Sequence, residues 1–270
     1  MKLSKIAAVL LLATGALSGC NNKNDHQENK VTTLLPEYEN RLDIYKPVTL
    51  TANLDHLSDN QKQMLSLLIE ASDIIDNLFW QQAYGQDKEQ FLAGIKDEQV
   101  REFAKINYGP WDRLNGDKAF LTNVSPKAHG AEFYPGDMSK AEFEQASFDD
   151  KGGLYSLVRR DHEGKLSTIA YSEAYSDEIN RIAVILEKAA TLADDKEFAN
   201  YLSMRAKAMR TDDYQASDFA WMDMKNNPID VVIGPIETYE DQLYGYRAAF
   251  ESYILIKDMS WSEKLAKYAA

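Results

Sequence analysis

Apolar residues recur at helical spacing through much of this chain. The clearest case follows Leu57, where Ser58 and Gln61 form an S-x-x-Q capping box ahead of a long amphipathic run. The apolar members of that run are Met64, Leu65, Leu68, Ala71, Ile75, Leu78 and Phe79. The pattern predicts a helix that begins after Ser58 and stops at Gly85, because glycine readily adopts the left-handed conformation that ends helices.

Weaker helical patterns follow along the chain. They predict helices over residues 88–95, 98–106, 176–192 and 196–209, and a long helix from about residue 240 to the C-terminus. Ser176 is predicted to cap the helix that it precedes. Residues 107–111 and 114–150 are rich in turn formers and are predicted to be irregular, except that Asp137 is expected to cap a helix starting near Ser139.

Two regions favour β-structure. Residues 154–160 and 165–170 flank an Asp-His-Glu-Gly turn and predict a β-hairpin. The apolar run from Ile229 to Ile233 is the best further strand, and Gly234-Pro235 is predicted to end it. Helices dominate this sequence, so the predicted fold class is α+β, mostly helical, with a small antiparallel β element.

The first 19 residues have the pattern of a lipoprotein signal peptide. Lys2 and Lys5 precede an apolar core at 6–12, and a Leu-Ser-Gly sequence stands directly before Cys20, the only cysteine. The apolar core is too short to span a bilayer of about 30 Å. The pattern predicts cleavage before Cys20 and lipidation of its thiol, which would anchor an exported protein to a membrane. Asn21 favours the outer membrane or cell surface.

The segment from 20 to 50 is predicted to connect this anchor to a folded region at 51–270. Residues 21–30 read NNKNDHQENK, which is too polar to bury enough surface to order itself. They are expected to form a tether that leads into an extended segment.

Charge limits the partners of this chain. The formal net charge of −13 becomes −15 once Lys2 and Lys5 are removed with the signal peptide. Such a balance excludes nucleic acid as a partner. It suits a cationic ligand such as a short peptide, whose free α-amino group has a pKa of about 8. Solubility alone is the competing explanation of the acidic composition.

Several chemistries have no motif in this sequence. It contains no phosphate-binding loop, no dinucleotide fingerprint and no nucleophile elbow. A hydrolytic zinc site on a helix needs two histidines one turn apart and a glutamate. His162 precedes Glu163 but has no second histidine nearby, so this pair is predicted to form the hairpin turn. His26 is predicted to be solvated, and no metal ligand is assigned. Solvent exposure is also the default for His56 and His129, with contact to a ligand as the alternative for either.

Six stretches, in this order, resemble the dipeptidyl peptidase III family, particularly its branch whose plant members are fused to a Nudix domain. They are LTANLDHLSDNQKQMLSLLIEASDIIDNLFWQQ, INYGPWDRL, GAEFYPGDMSKAEFE, YSEAYS, DFAWMDM and IDVVIGPIETYEDQLYGYRAAFE. The resemblance runs from about Asn53 to the end and implies part of a two-lobed zinc exopeptidase that releases dipeptides from peptide N-termini. Family members hold zinc with an H-E-x-x-G-H motif and a further glutamate.

That zinc motif does not occur in these 270 residues, and neither does a Nudix box. The chain is therefore expected to be the N-terminal part of such an enzyme, inactive alone and unable to bind zinc at the family site. Its expected partners are short peptides, the membrane, and the C-terminal portion that carries the metal. Two alternatives stay open: a non-catalytic peptide-binding lipoprotein, and a surface scaffold without a small ligand.

The resemblance also implies two roles within the I-E-T-Y motif. Glu237 would bind the ammonium group of the substrate, and Tyr239 would donate a hydrogen bond to the tetrahedral oxyanion. Without the resemblance, Glu237, Glu240 and Asp241 are explained equally well as the acidic first turn of a helix. The neighbouring tyrosines could likewise be packing residues.

Overall fold

The structure, a computed structural model, describes residues 32–85 and 87–269. The predicted signal peptide, the lipidation site Cys20 and the polar tether up to residue 31 lie outside them. Residues 33–41 are held by backbone pairing and by apolar packing: Leu35 N donates to Phe120 O at 2.9 Å, and the Tyr38 side chain is buried. No helix among the described residues has the length and apolar character needed to cross a membrane.

Helices dominate the described part of the chain, as predicted. They are α1 (Asp59–Ala83), α2 (Lys88–Gly94), α3 (Glu98–Ile106), α4 (Lys140–Gln145), α5 (Tyr171–Ala174), α6 (Ser176–Leu192), α7 (Lys196–Thr211), α8 (Gln215–Asp223) and α9 (Met259–Ala269). Short strands pair as three antiparallel two-stranded sheets: β1 (Trp111–Asp112) with β2 (Lys118–Ala119), β3 (Ser156–Arg160) with β4 (Leu166–Ala170), and β5 (Ile229–Glu237) with β6 (Ala249–Ile256).

The predicted capping box at the start of α1 is confirmed. Gln61 N donates to Ser58 Oγ at 3.1 Å, and Ser58 N donates to the Gln61 side chain at 2.9 Å. Both bonds pair backbone N–H groups that the first turn of the helix would otherwise leave without an acceptor. The helix ends at Ala83, and Gly85 follows with a φ of +74°. Five of the seven residues in the predicted apolar stripe of α1 are buried, namely Met64, Leu68, Ala71, Ile75 and Leu78, so this stripe faces the core.

Two apolar clusters support the fold. The larger one packs α1, α6 and α7 against the β5–β6 hairpin, with Leu68, Leu78, Ile182 and Leu202 fully buried. The smaller one is aromatic and joins the end of α1 to α3 and the first strands. The β5–β6 hairpin is therefore held from one side by the longest helix, and this contact fixes the position of the loop between its strands.

The long helix predicted from Glu240 to the C-terminus is wrong. Residues 238–248 form an irregular loop, residues 249–256 form β6, and a helix begins only at Met259. The prediction that Gly234-Pro235 ends the strand is also wrong, because both residues pair with β6. Long-range pairing with β5 overrides the local helical pattern here. The explanation of Glu237, Glu240 and Asp241 as the first turn of a helix is therefore excluded.

Two predicted caps differ from the structure, and helices α5 and α8 were not predicted. Ser139, and not Asp137, caps α4: Glu142 N donates to Ser139 Oγ at 3.1 Å, while Asp137 binds Arg160. Ser176 is the first residue of α6 and not its cap, because α5 runs almost directly into α6 and Tyr175 occupies the cap position without a side-chain hydrogen bond. Helix α8 was missed because its apolar residues do not form a single buried stripe.

Candidate functional site

Glu237 and Tyr239 lie where β5 leaves the sheet. Glu237 is the last residue of β5, and its side chain is exposed. Tyr239 is 81% exposed, and its hydroxyl has no hydrogen-bond partner within the described part of the chain. Both side chains are therefore accessible to a ligand.

An irregularity in β5 decides which face of the hairpin carries Glu237. The register is unbroken as far as Pro235. The next pair joins Glu237 to Ala249, so Ile236 is an extra residue without a partner. Paired residues share a face, and side chains alternate along a strand. Glu237 therefore lies on the face of Ala249, which is also the face of Glu251.

A cavity of about 300 Å³ opens between α1 and β6. Helix α1 contributes Ser72, Asp76 and Phe79, and β6 contributes Glu251 and Tyr253. Two hydrogen bonds organise its polar side: Tyr253 Oη donates to Glu251 Oε2 at 3.0 Å, and the hydroxyl of Tyr108, also in the wall, donates to Asp76 Oδ1 at 2.7 Å. None of the described residues that line the cavity is a lysine or an arginine.

The electrostatics of this cavity favour a cation. Burial raises the pKa of Glu251; the hydrogen bond from Tyr253 opposes this effect, and the negative charge of Glu237 adds to it. The pKa of Tyr253 is raised by its hydrogen bond to Glu251, by burial and by the charges of Glu251 and Glu237. Carboxylates that repel each other in this way are stabilised by a positive ligand placed between them.

Glu240 is part of a buried ion cluster and is not exposed to a ligand. Its carboxylate accepts from Arg113 Nη1 at 2.6 Å and Nη2 at 3.2 Å, and from Lys127 Nζ at 2.5 Å. Burial raises the pKa of Glu240, but the hydrogen bonds and charges of Arg113 and Lys127 outweigh it, so the pKa is lowered. Glu240 thus stays ionised and ties the loop to residues far away in sequence.

Asp241 organises the loop that follows. Its side chain is buried, and Oδ2 accepts from Tyr134 Oη at 2.7 Å. It also accepts from four backbone N–H groups of the loop, those of Leu243, Tyr244, Tyr246 and Arg247, at 2.9–3.2 Å. One carboxylate thus replaces the backbone pairing that a helix would have supplied in this segment.

The described residues do not fit a zinc site. No group of three or more histidine, cysteine, aspartate or glutamate side chains within 32–85 and 87–269 is arranged to hold a metal ion. His162 and Glu163 lie in the turn between β3 and β4, as predicted, and the His162 side chain is 90% exposed. His56 lies in an exposed turn before α1, and His129 lines a surface cleft.

The sequence indicated part of this site and missed the rest. It pointed to Glu237 and Tyr239 but not to Asp76, Tyr108 or Glu251, which form the cavity. One signal was available for Tyr108, which lies in the turn sequence Asn-Tyr-Gly-Pro. In the structure its φ is +52°, which is unusual for a bulky residue. Asp76 offered none, because it is one of several acidic residues on the polar side of α1.

Comparison with known proteins shows the family to which this chain is similar. The sequence model of peptidase family M49 matches residues 126–270. The structure is similar to that of DPP III from Caldithrix abyssi, with a TM-score of 0.79 and 36% identity, over 85% of this chain and 45% of that one. It is also similar to dipeptidyl-peptidase III from Corallococcus sp. strain EGB, with a TM-score of 0.78 and 32% identity, over 83% and 44%.

A curated plant protein is also similar. It is Nudix hydrolase 3 of Arabidopsis thaliana, which is 29% identical over 281 residues. The match covers 82% of this chain and 36% of the plant protein. The chain therefore spans less than half the length of each of these three relatives.

Proposed function

Because this chain belongs to peptidase family M49, we propose that it carries the peptide-binding part of a dipeptidyl peptidase site. Glu237 binds the N-terminal ammonium group of a short peptide, and Tyr239 donates a hydrogen bond to the oxyanion formed during hydrolysis. The observation that carries the proposal is the placement of Glu237 on the same face as Glu251, beside a cavity whose described lining residues include no lysine or arginine.

The geometry suggests how each residue contributes. A carboxylate that pairs with the free amine fixes the position of the peptide, so that one particular peptide bond lies at the reactive centre. The exposed hydroxyl of Tyr239 is two residues further along the chain and is free to donate to a developing negative charge. One such donor typically stabilises a transition state by about 2.7–4 kcal/mol.

Zinc is the metal of this family, and the attack of water on the peptide bond would depend on it. No described residue is assigned to that step, because the described residues do not fit a zinc site. What the described residues supply is recognition of the substrate: they bind the amine, orient the peptide and offer an oxyanion donor.

Glu237→Gln is expected to abolish the preference of the protein for a free peptide amine. Isothermal calorimetry on the full chain would compare a short peptide with the same peptide N-acetylated. The wild type should bind the free amine at least about tenfold more tightly, since a hydrogen bond to a charged group contributes about 1.5–3 kcal/mol. Glu237→Gln should bind both peptides equally and weakly.

Glu197→Gln is the matched control for this experiment. Glu197 is an exposed glutamate of α7, so the variant changes net charge by the same amount without touching the hairpin. It should retain the wild-type preference. Equal binding of the two peptides by the wild type, or an unchanged preference in Glu237→Gln, would rule out the assignment of Glu237.

The pH dependence of peptide binding should report on Glu251. Its pKa is raised, so as pH falls from 7 this carboxylate takes up a proton before an ordinary glutamate would. The peptide ammonium stays charged throughout this range, because its pKa is about 8. Affinity is therefore expected to fall on acidification, and Glu251→Gln should bind more weakly at pH 7 with a flatter profile. A profile unchanged by Glu251→Gln would show that Glu251 does not contact the amine.

A non-catalytic peptide-binding protein is the second candidate. It is favoured by the combination of accessible amine-binding carboxylates with described residues that do not fit a metal site. Incubation of the full chain with zinc and a dipeptidyl-arylamide distinguishes the two functions. Turnover that a chelator abolishes supports the peptidase; amine-dependent binding without turnover supports the binding protein.

A further inference from the structure

The loop that carries Tyr239 is attached to the wall of the cavity by a single arginine side chain. Arg113 comes from the turn between β1 and β2, 127 residues before Glu240. Its guanidinium donates two hydrogen bonds to the Glu240 carboxylate, from Nη1 to Oε2 at 2.6 Å and from Nη2 to Oε1 at 3.2 Å. Because Glu240 directly follows Tyr239, this contact fixes the backbone at the point where the two proposed site residues leave the sheet.

The same guanidinium covers two rings of the cavity wall. Its carbon atom Cζ lies 5.3 Å from the ring centre of Phe79 and 5.7 Å from that of Tyr108. These distances are typical of cation–π contacts. Arg113 is also held in place near its own backbone, because its N donates to Asn107 Oδ1 at 2.9 Å and its Nε donates to Asn107 O at 2.8 Å.

Tyr108 is itself held in an unfavourable conformation. Its φ of +52° lies in the left-handed region, which costs free energy for a bulky residue and persists only where neighbouring contacts impose it. These contacts include the hydrogen bond from its hydroxyl to Asp76, the edge-on packing of Phe79 at 4.6 Å, the ring of Trp80 at 5.3 Å, and Arg113. Arg113 therefore contacts this cavity wall as well as the loop.

We infer that Arg113 is a positioning residue, which sets the placement of Glu237 and Tyr239 relative to the cavity wall by binding Glu240 while it covers Tyr108 and Phe79. This inference rests on the proposed function of that site. Lysine could keep the charge pair with Glu240, but it lacks the planar fork that makes both contacts at once. Lys127 also binds Glu240, at Oε1, but the cation–π contacts with Phe79 and Tyr108 are made by Arg113.

The test uses Arg113→Lys, Glu240→Gln and the double variant in the full chain. Arg160→Lys is the matched control. Arg160 also binds a glutamate, Glu142, through both terminal nitrogens of its guanidinium, at 2.7 Å and 3.0 Å. The exposed fraction of its side chain is 26%, and that of Arg113 is 27%. Two properties are measured beside the melting temperature. They are the ¹⁹F NMR signal of 3-fluorotyrosine at position 239, assigned with Tyr239→Phe, and the affinity ratio for a free and an N-acetylated peptide.

Arg113→Lys is expected to shift the Tyr239 signal and to reduce the preference for the free amine about fivefold, which is the size of effect expected for directly coupled residues. The melting temperature should stay near that of the wild type. The double variant should show no further loss beyond either single variant, because both remove the same contact. If Arg113→Lys leaves the signal and the ratio as unchanged as Arg160→Lys does, the inference is overturned.

Two outcomes separate this inference from the proposed function. If the wild type shows no preference for a free amine, the proposed function fails, and the Tyr239 signal alone decides whether Arg113 positions the loop. If Arg113→Lys does not fold, the nearly isosteric Glu240→Gln provides the same two measurements. A Tyr239 signal that does not move in a folded Glu240→Gln overturns the inference.

Discussion

Asp241→Ala is expected to lower the free energy of unfolding by about 3–5 kcal/mol, because a hydrogen bond to a charged group contributes about 1.5–3 kcal/mol and several donors lose this one buried carboxylate. The change leaves the hydroxyl of Tyr134 and four backbone N–H groups of the loop without their acceptor. Each buried donor that loses its partner carries a desolvation cost. Urea unfolding followed by circular dichroism would measure the loss.

Asp137→Ala is the control for this prediction. Asp137 is also an aspartate that receives side-chain hydrogen bonds, here from Arg160, but its side chain is 70% exposed. Water replaces its partners when it is removed, so little change in stability is expected. Equal effects of Asp241→Ala and Asp137→Ala would show that Asp241 does not hold the loop together.

Arg247→Met is expected to destabilise the protein by about 3 kcal/mol or more, because several buried acceptors lose a charged donor. Arg247 is fully buried, and its guanidinium donates to Lys151 O at 2.6 Å, to Ser156 Oγ at 2.6 Å and to Gly153 O. These bonds connect the loop before β3 to the segment that leads into β6. Methionine fills similar space but cannot donate a hydrogen bond.

Thermal unfolding of Arg247→Met, Arg160→Met and the double variant Asp241→Ala/Arg247→Met would test this expectation. Arg160→Met should have a much smaller effect, because that side chain is partly solvated. Asp241 and Arg247 share a contact with Tyr134, whose ring centre lies 5.9 Å from the guanidinium carbon. The two losses should therefore not be additive. Additive losses, or a small effect of Arg247→Met, would contradict this account of the loop.

The sequence predicted the helical part of the fold well, because its signals are local. The capping box of Ser58 and Gln61, the apolar stripe of α1 and the β3–β4 hairpin all follow from residues close together in the chain. The segment after Glu237 was predicted wrongly, because contacts between distant parts of the chain determine its structure. Its residues are spaced like those of a helix, but Asp241 takes up the backbone donors of the loop and β6 pairs with β5.

The candidate site, too, could be predicted only where its residues are close together in the sequence. Glu237 and Tyr239 stand in one short motif and could be singled out from sequence, and their roles remain predictions. The cavity beside them needs Asp76 from α1 and Tyr108 from the turn after α3, which lie more than a hundred residues earlier. Only the packing of α1 on β6 brings these groups together, and one-dimensional periodicity carries no information about that contact.

The extra residue in β5 has a consequence for how this protein can vary in length. Loss of Ile236 alone would close the bulge and leave Glu237 paired with Ala249, on the same face as Glu251. The glutamate would keep its place on the hairpin in a chain one residue shorter. In natural variants, a one-residue deletion at this point is therefore expected to preserve the carboxylate of the site, whereas a substitution of Glu237 would remove it.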